Sequence, residues 1–231
     1  MSIRLSPRLQ CIADYVPQGS TVIDVGTDHA YVPIWLLQSG RCSHAFASDV
    51  RPGPLQNAAA DAEKAGVGAQ LKLLLCDGLS LCPPDAVDTV IMAGLGGETI
   101  QRILQDAPWA AEKRLILQPQ TKQDELRRYL SANRLAIADA ALAYDTGRLY
   151  LVWLVSTGEM DGDSPLDAAL LQKRDPLLRP YIEEQLKRRS QRLRGMEAAR
   201  VPDTAGITTL RGEIAALRAA YAEVQTWQSS Q

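Results

Sequence analysis

The run Asp24-Val25-Gly26-Thr27-Asp28-His29-Ala30-Tyr31-Val32-Pro33 gathers two carboxyls, a hydroxyl, an imidazole and a phenol around a single glycine. Side chains of these kinds can face a cation, orient a polar ligand or hold a proton. Thr21-Val22-Ile23 ahead of the run reads as a buried parallel strand, and Ile34-Trp35-Leu36-Leu37 behind it begins a helical face. The turn therefore falls at a carboxyl end of a sheet, where open α/β folds bind ligands.

Asp24 ends the strand, and Gly26 lets a ligand approach backbone N–H groups at the next helix. The dinucleotide fingerprint G-x-G-x-x-G is absent, because the later glycine positions hold Asp28 and Tyr31. A pyrophosphate would meet the Asp28 carboxylate where it needs close backbone and no negative charge. The turn thus suits a ligand without phosphates better than NAD or FAD.

Four further strand ends carry polar or glycine residues. Ser48-Asp49-Val50 lies about 20 residues beyond the glycine turn, where an acidic side chain typically grips ribose hydroxyls; its structural alternative is an N-cap for the helix near Pro52. Asp77-Gly78 suits the amino group of an adenine. Ala93-Gly94-Leu95-Gly96-Gly97 holds more glycine than a strand-to-helix turn requires and reads as a floor for a flat ligand. Gln118-Pro119-Gln120 closes the fifth strand. Convergence of five such ends on one rim is stronger evidence than any single motif.

The elements that position these residues follow from periodicity. Ser6-Pro7 is a helix start, with Leu5, Leu9, Ile12, Ala13 and Val16 at helical spacing. Strand-like runs at Ala45–Ser48, Leu71–Leu75, Thr89–Met92 and Leu115–Leu117 alternate with helical stretches at Pro54–Ala65, Glu98–Leu104 and Asp124–Leu130. That is the β-α-β rhythm of a doubly wound parallel sheet. Leu135–Ala143 and Leu149–Val155 then predict an antiparallel hairpin, which makes the sheet mixed.

Gly158–Ser164 reads as a polar linker. Beyond it Leu178, Ile182, Leu186, Arg189, Leu193 and Met196 step by three or four residues, with only Arg189 breaking the apolar stripe. Ile207, Leu210, Ile214, Leu217, Tyr221 and Val224 repeat the step. Two such helices make an antiparallel hairpin of coiled-coil type, with Pro176 and Pro180 marking a break or late start of the first arm.

A chain of 231 residues, 46% of them hydrophobic, can hold one ordinary domain and a smaller appendage. It has no hydrophobic signal core and no apolar run near the roughly 20 residues that cross a bilayer, so a cytoplasmic enzyme is the expectation. Four cysteines without a CxxC pair and two histidines off metal-ligand spacing argue against a structural zinc site. Residues 1–163 carry 14 Lys+Arg against 19 Asp+Glu, whereas residues 164–231 carry 11 against 8, so the acidic and basic parts are different surfaces.

Taken together, the Asp24–Pro33 run, Ser48-Asp49-Val50 with Gly53-Pro54-Leu55, Asp77-Gly78-Leu79, Ala93–Gly97 and Leu117-Gln118-Pro119 closely resemble the bacterial TrmK family. Its members are tRNA adenine-N1 methyltransferases that modify adenine 22 in the D arm with S-adenosylmethionine. The resemblance covers residues 4 to 155 and departs from the family at Gln120, where asparagine is usual. It implies an α/β fold: a Rossmann-like class I methyltransferase sheet of parallel strands plus one antiparallel strand over residues 1–158, and an α-helical coiled-coil hairpin over 164–231.

By the same resemblance Asp24, Gly26 and the turn with Thr27 and Asp28 surround the methionine moiety and sulfonium, while Asp49 with Val50 meets the ribose side. Asp77 and Gly78 take the cofactor adenine, and Ala93 and Gly94 form the strip between cofactor and target base. His29 and Tyr31 are candidates for holding the target adenine, with Gln118 bonding to it; the alternative makes His29 a helix cap and Tyr31 a packing residue. Lys187, Arg188, Arg189, Arg192 and Arg194 could meet tRNA phosphates, or form a solvated helix face. A monomer without metal is expected. The rival readings are a methyltransferase of the same fold acting on a small molecule or protein, and a non-catalytic RNA-binding protein.

Overall fold

The apolar runs of the chain become strands β1 (Val22–Val25), β2 (Ala45–Asp49), β3 (Leu71–Leu75), β4 (Thr89–Gly96), β5 (Arg114–Thr121), β6 (Leu135–Asp145) and β7 (Arg148–Thr157). Before, between and after them lie helices α1 (Pro7–Asp14), α2 (Tyr31–Gln38), α3 (Pro52–Ala65), α4 (Gly97–Asp106), α5 (Gln123–Ala132), α6 (Ala168–Gln172), α7 (Leu178–Glu197) and α8 (Thr204–Gln228). The computed structural model describes residues 2–201 and 203–228. Contacts divide the chain into two units, Met1–Gly162 and Asp163–Gln231.

In the first unit the sheet order is β3-β2-β1-β4-β5-β7-β6. The central strands bury Val22, Ile23, Val90, Ile91, Met92, Leu115, Ile116 and Leu117 almost completely. Such unbroken apolar runs are what a strand covered on both faces requires. β1 pairs in parallel with both β2 and β4, so the winding reverses between β1 and β4 and opens a crevice at their carboxyl ends. β7 lies antiparallel to β5 and to β6 and is the one strand running against the rest. The sheet is therefore mixed in the way the hairpin expectation required.

Two details refine the sequence reading. The β6–β7 connection tightens to Thr146-Gly147, both at positive φ (47° and 80°), the backbone of a two-residue hairpin turn. β4 continues past Met92 to Gly96, with register shifts on either side of Leu95 where Gly94 takes φ +80°. The expected glycine floor is thereby divided. Gly94 belongs to a bulge at the rim, whereas a Cβ on Gly97 would lie 2.5 Å from the Lys122 carbonyl oxygen and 2.8 Å from that of Thr121. Gly97 serves close packing of α4 against the end of β5, and not a ligand.

In the second unit α7 and α8 pack antiparallel. Leu178, Ile182, Leu210, Ile214, Leu217 and Val224 are buried between them. The Tyr221 hydroxyl donates to Glu183 Oε1 at 2.7 Å, and Arg211 meets Glu197 at 2.6 Å. Pro180 stands in the first turn of α7, where no intrahelical N–H is needed.

Arg189 requires a correction. It is only 7% exposed, donates from Nε to Glu213 Oε2 at 2.9 Å and from a terminal nitrogen to Gln185 Oε1 at 2.5 Å. The break in the apolar stripe is filled by an interhelical ion pair, so Arg189 is withdrawn from the phosphate-binding set. Among the described residues no helix is long and apolar enough to cross a membrane.

The glycines give a paired test by urea unfolding. Gly97→Ala should cost about 1–3 kcal/mol, because only backbone could move away. Gly212→Ala, on α8 with nothing within 4 Å of its would-be Cβ, should stabilise by about 0.5–1 kcal/mol through helix propensity alone.

Candidate functional site

The Asp24 turn is tied to its neighbours through the backbone. The N–H groups of Gly26 and Thr27 both donate to the Ser48 carbonyl at 2.8 and 3.0 Å, which anchors the turn to the end of β2. Gly26 sits at φ +75°, and a Cβ there would come within 2.9 Å of Leu95 Cδ2. The backbone conformation demands glycine. Thr27, itself buried, donates from Oγ1 to Asp24 Oδ2 at 2.7 Å and accepts the Ala30 N–H at 3.0 Å. One hydroxyl thereby couples the carboxylate to the first turn of α2.

Beside this turn lies a cavity of about 370 Å³, within the size range of small-molecule sites. Asp24, Gly26, Thr27, Asp28, His29 and Tyr31 line it from the turn, Ala93 and Gly94 from β4, and Arg8 from α1. Burial pushes the Asp24 carboxyl up to about 6, against the opposing pull of the Thr27 hydrogen bond and the Arg8 charge. A carboxylate in that state gains from a cation placed beside it.

His29 and Tyr31 stack with centroids 4.9 Å apart and planes 16° from parallel. His29 Nδ1 lies 2.8 Å from Asp61 Oδ2 on α3, and this hydrogen bond is the main reason the Asp61 carboxyl is held below the usual carboxylate range. The residue at the helix start is Ala30, with no side-chain cap. The alternative of His29 as a cap is thus not what the structure shows.

Gln118 is 1% exposed, and its Oε1 accepts a hydrogen bond from an Arg8 guanidinium nitrogen at 3.0 Å. The expected contact between Gln118 and a base is therefore corrected: Gln118 lies behind the cavity wall and holds Arg8, whose guanidinium also rests over the Tyr150 ring at 5.3 Å. Arg8 is the cavity residue that sequence reasoning missed. The Ser6-Pro7 start placed it in the first turn of a helix, but nothing local told where that helix would land.

Asp49, Val50, Asp77 and Gly78 occupy the ends of β2 and β3, on the same rim but outside the cavity lining. Asp49 Oδ1 accepts the Arg51 N–H at 2.8 Å, which shapes the turn into α3. Val50 is 59% exposed, a flat apolar surface beside it. Asp77 receives Arg102 at both oxygens, each at 2.9 Å, which keeps its carboxyl low; each oxygen retains a second lone pair. In the second unit Lys187, Arg188, Arg192 and Arg194 are exposed, with Arg188 bonded to Glu184.

A methyltransferase-domain family model matches residues 5–153. Over 161 residues the chain is 32% identical to the tRNA (adenine(22)-N(1))-methyltransferase of Bacillus subtilis, covering 69% of this chain and 68% of that one. The crystal structure of the B. subtilis M1A22 tRNA methyltransferase TrmK superposes with a TM-score of 0.81 at 25% identity, over 95% of this chain and 100% of that one. The chain belongs to the TrmK family of methyltransferases.

A further member of the family, from Streptococcus pneumoniae, is known in complex with S-adenosyl-L-methionine; it is 30% identical with a TM-score of 0.73, over 94% of this chain and all of that one. The residues of this chain fit that cofactor. The turn offers an anion at Asp24 for a cationic ligand, backbone approach at Gly26 and Gly94, and a carboxylate at Asp28 where a phosphate would be repelled.

The raised Asp24 carboxyl gives opposite signs for folding and binding. Its folded value of about 6 exceeds the ordinary 3.8, so the fold loses stability as pH rises through that window and stays lower above it. Asp24→Asn should therefore raise stability at pH 7 by about 1–3 kcal/mol, seen as a higher Tm. The same variant should weaken S-adenosylmethionine binding about tenfold or more in calorimetric titration. Wild-type affinity should fall as pH drops below 6, whereas the variant's should not.

Proposed function

We propose that this protein methylates N1 of adenine 22 in the D arm of tRNA, with S-adenosylmethionine as donor. The observation that carries the reading is the Asp24–Thr27–Ala30 linkage at the sheet rim, beside a cavity that the stacked His29 and Tyr31 also line. The bound cofactor supplies a methyl group activated by a sulfonium.

The chain's own residues do the rest by placement. Asp24 faces the positive end of the ligand, Asp49 Oδ2 takes ribose hydroxyls, and Val50 covers an apolar ring face. Arg8, held by Gln118, offers a guanidinium to the ligand's carboxylate. N1 of adenine carries an in-plane lone pair, so no strong base is needed at the outset and alignment is the main task. His29 and Tyr31 hold the base edge. Because N1 lies on the Watson–Crick edge, the base must leave its stack, at a cost of a few kcal/mol.

The exposed Lys187, Arg188, Arg192 and Arg194 supply phosphate contacts for the body of the tRNA. The overall charge of −2 does not oppose this, since the excess of positive charge is confined to residues 164–231. The protein acts as a monomer in the cytoplasm; the compartment is supported by four cysteines that form no disulfide among the described residues.

Nucleoside mass spectrometry of tRNA from cells with and without the gene should show loss of 1-methyladenosine in its absence; an unchanged profile would refute the assignment. Asp49→Ala should weaken cofactor binding about tenfold or more. Reversing charge at Lys187, Arg188 and Arg192 should raise KM for tRNA about tenfold and flatten the dependence of log KM on log salt, with cofactor affinity unaltered. Unchanged kinetics on tRNA would remove the docking role of α7.

A further inference from the structure

Asp61 does not line the cavity, yet among the described residues it is the hydrogen-bond partner of the His29 ring. An ionised carboxylate can only accept, so the 2.8 Å contact assigns the proton to Nδ1. In the neutral ring Nε2 is then an acceptor. Ring orientation is held in two directions: Asp61 fixes it in plane, and the stack on Tyr31 fixes it out of plane. Lys64, at 3.4 Å from the other Asp61 oxygen, steadies the carboxylate. The remaining charged neighbour is Asp28, whose Oδ2 is 3.9 Å from Nε2, beyond hydrogen-bonding distance, on a side chain 74% exposed.

We propose that Asp61 is a positioning residue that presents His29 Nε2 to the cavity as a hydrogen-bond acceptor, and that this acceptor selects adenine over guanine. The inference rests on the reading of adenine N1 as the methylated atom. Beside N1, adenine carries the N6 amino group, a donor; guanine carries O6, an acceptor, and its N1 bears a hydrogen. An acceptor at Nε2 pairs with N6–H and opposes the O6 lone pairs.

The pairing also strengthens as the reaction proceeds. Methylation at N1 leaves a cationic ring whose charge is shared with N6, so an N6–H bond to an imidazole backed by a carboxylate tightens where charge develops. No proton need leave either partner for this effect. The Asp61–His29 pair then does for a base edge what an orienting carboxylate does for a ligating or catalytic imidazole elsewhere: it fixes which nitrogen carries the proton.

The test combines a spectroscopic readout with substrate selectivity. Nitrogen-15 correlation spectra of the imidazoles should show His29 as the Nδ1–H tautomer in the wild type. The same tautomer should persist in Asp61→Asn, whose amide oxygen still accepts, and give way to Nε2–H in Asp61→Ala. On tRNA transcripts, Asp61→Ala should lower kcat about 10–100-fold with the cofactor Kd unaltered, and Asp61→Asn should recover at least about fivefold of that loss.

A transcript with purine at the target position, lacking the N6 amino group, should be methylated at least about tenfold more slowly than the adenine transcript by the wild type, and with no such preference by Asp61→Ala. An unaltered tautomer in Asp61→Ala, or an equal adenine-over-purine preference in both proteins, overturns the proposal. If the wild type methylates no tRNA adenine, the proposed function fails and the selectivity with it. Equal wild-type rates on adenine and purine would instead overturn the selectivity alone.

Discussion

The site is built around one hydrogen-bonded chain, in which the Thr27 hydroxyl donates to Asp24 and receives the Ala30 N–H. It fixes the direction of a carboxylate that burial would otherwise drive toward its neutral form. It also sets the start of α2, whose entry residue Ala30 takes a left-handed conformation without a side-chain cap. The turn thus holds a charge that disfavours the empty fold, as is common where a site keeps an ion in a poorly solvated place.

Around that chain the rim is arranged by close backbone approach. Gly26 is required by its φ, and Gly94 bulges β4 at the cavity edge. The buried Gln118 holds Arg8 from behind, and Asp61 holds His29 from the side. In both cases a group that faces the cavity depends on a partner that does not. Geometry at such a site is only as firm as this supporting layer.

The helical unit solves a different problem. Its apolar stripe is interrupted by Arg189, and the pairing with Glu213 and Gln185 satisfies a charge that would otherwise be stranded between helices. A buried pair of this kind adds little net stability against an apolar replacement, but it penalises any other register of α7 against α8. Lys187, Arg192 and Arg194 stay exposed on α7, and Arg188 beside them is bonded to Glu184.

Local chemistry made much of this legible in the sequence. Period-2 and period-3.6 patterns, the Ser6-Pro7 start and the glycine turns are short-range signals, so the span Leu71–Leu75 of β3, the alternation of strands and helices and the β6–β7 hairpin could be read directly. The strand-end rule placed Asp24, Gly26 and Asp49 at one rim for the same reason. What only the tertiary structure decided were partnerships between residues far apart in the chain: Arg8 with Gln118, His29 with Asp61, Asp77 with Arg102, Arg189 with Glu213, and Gly97 with the carbonyls of Thr121 and Lys122. Periodicity tells which face a side chain takes, but not which distant element will meet it; that depends on how layers pack, and packing is set by the whole core at once.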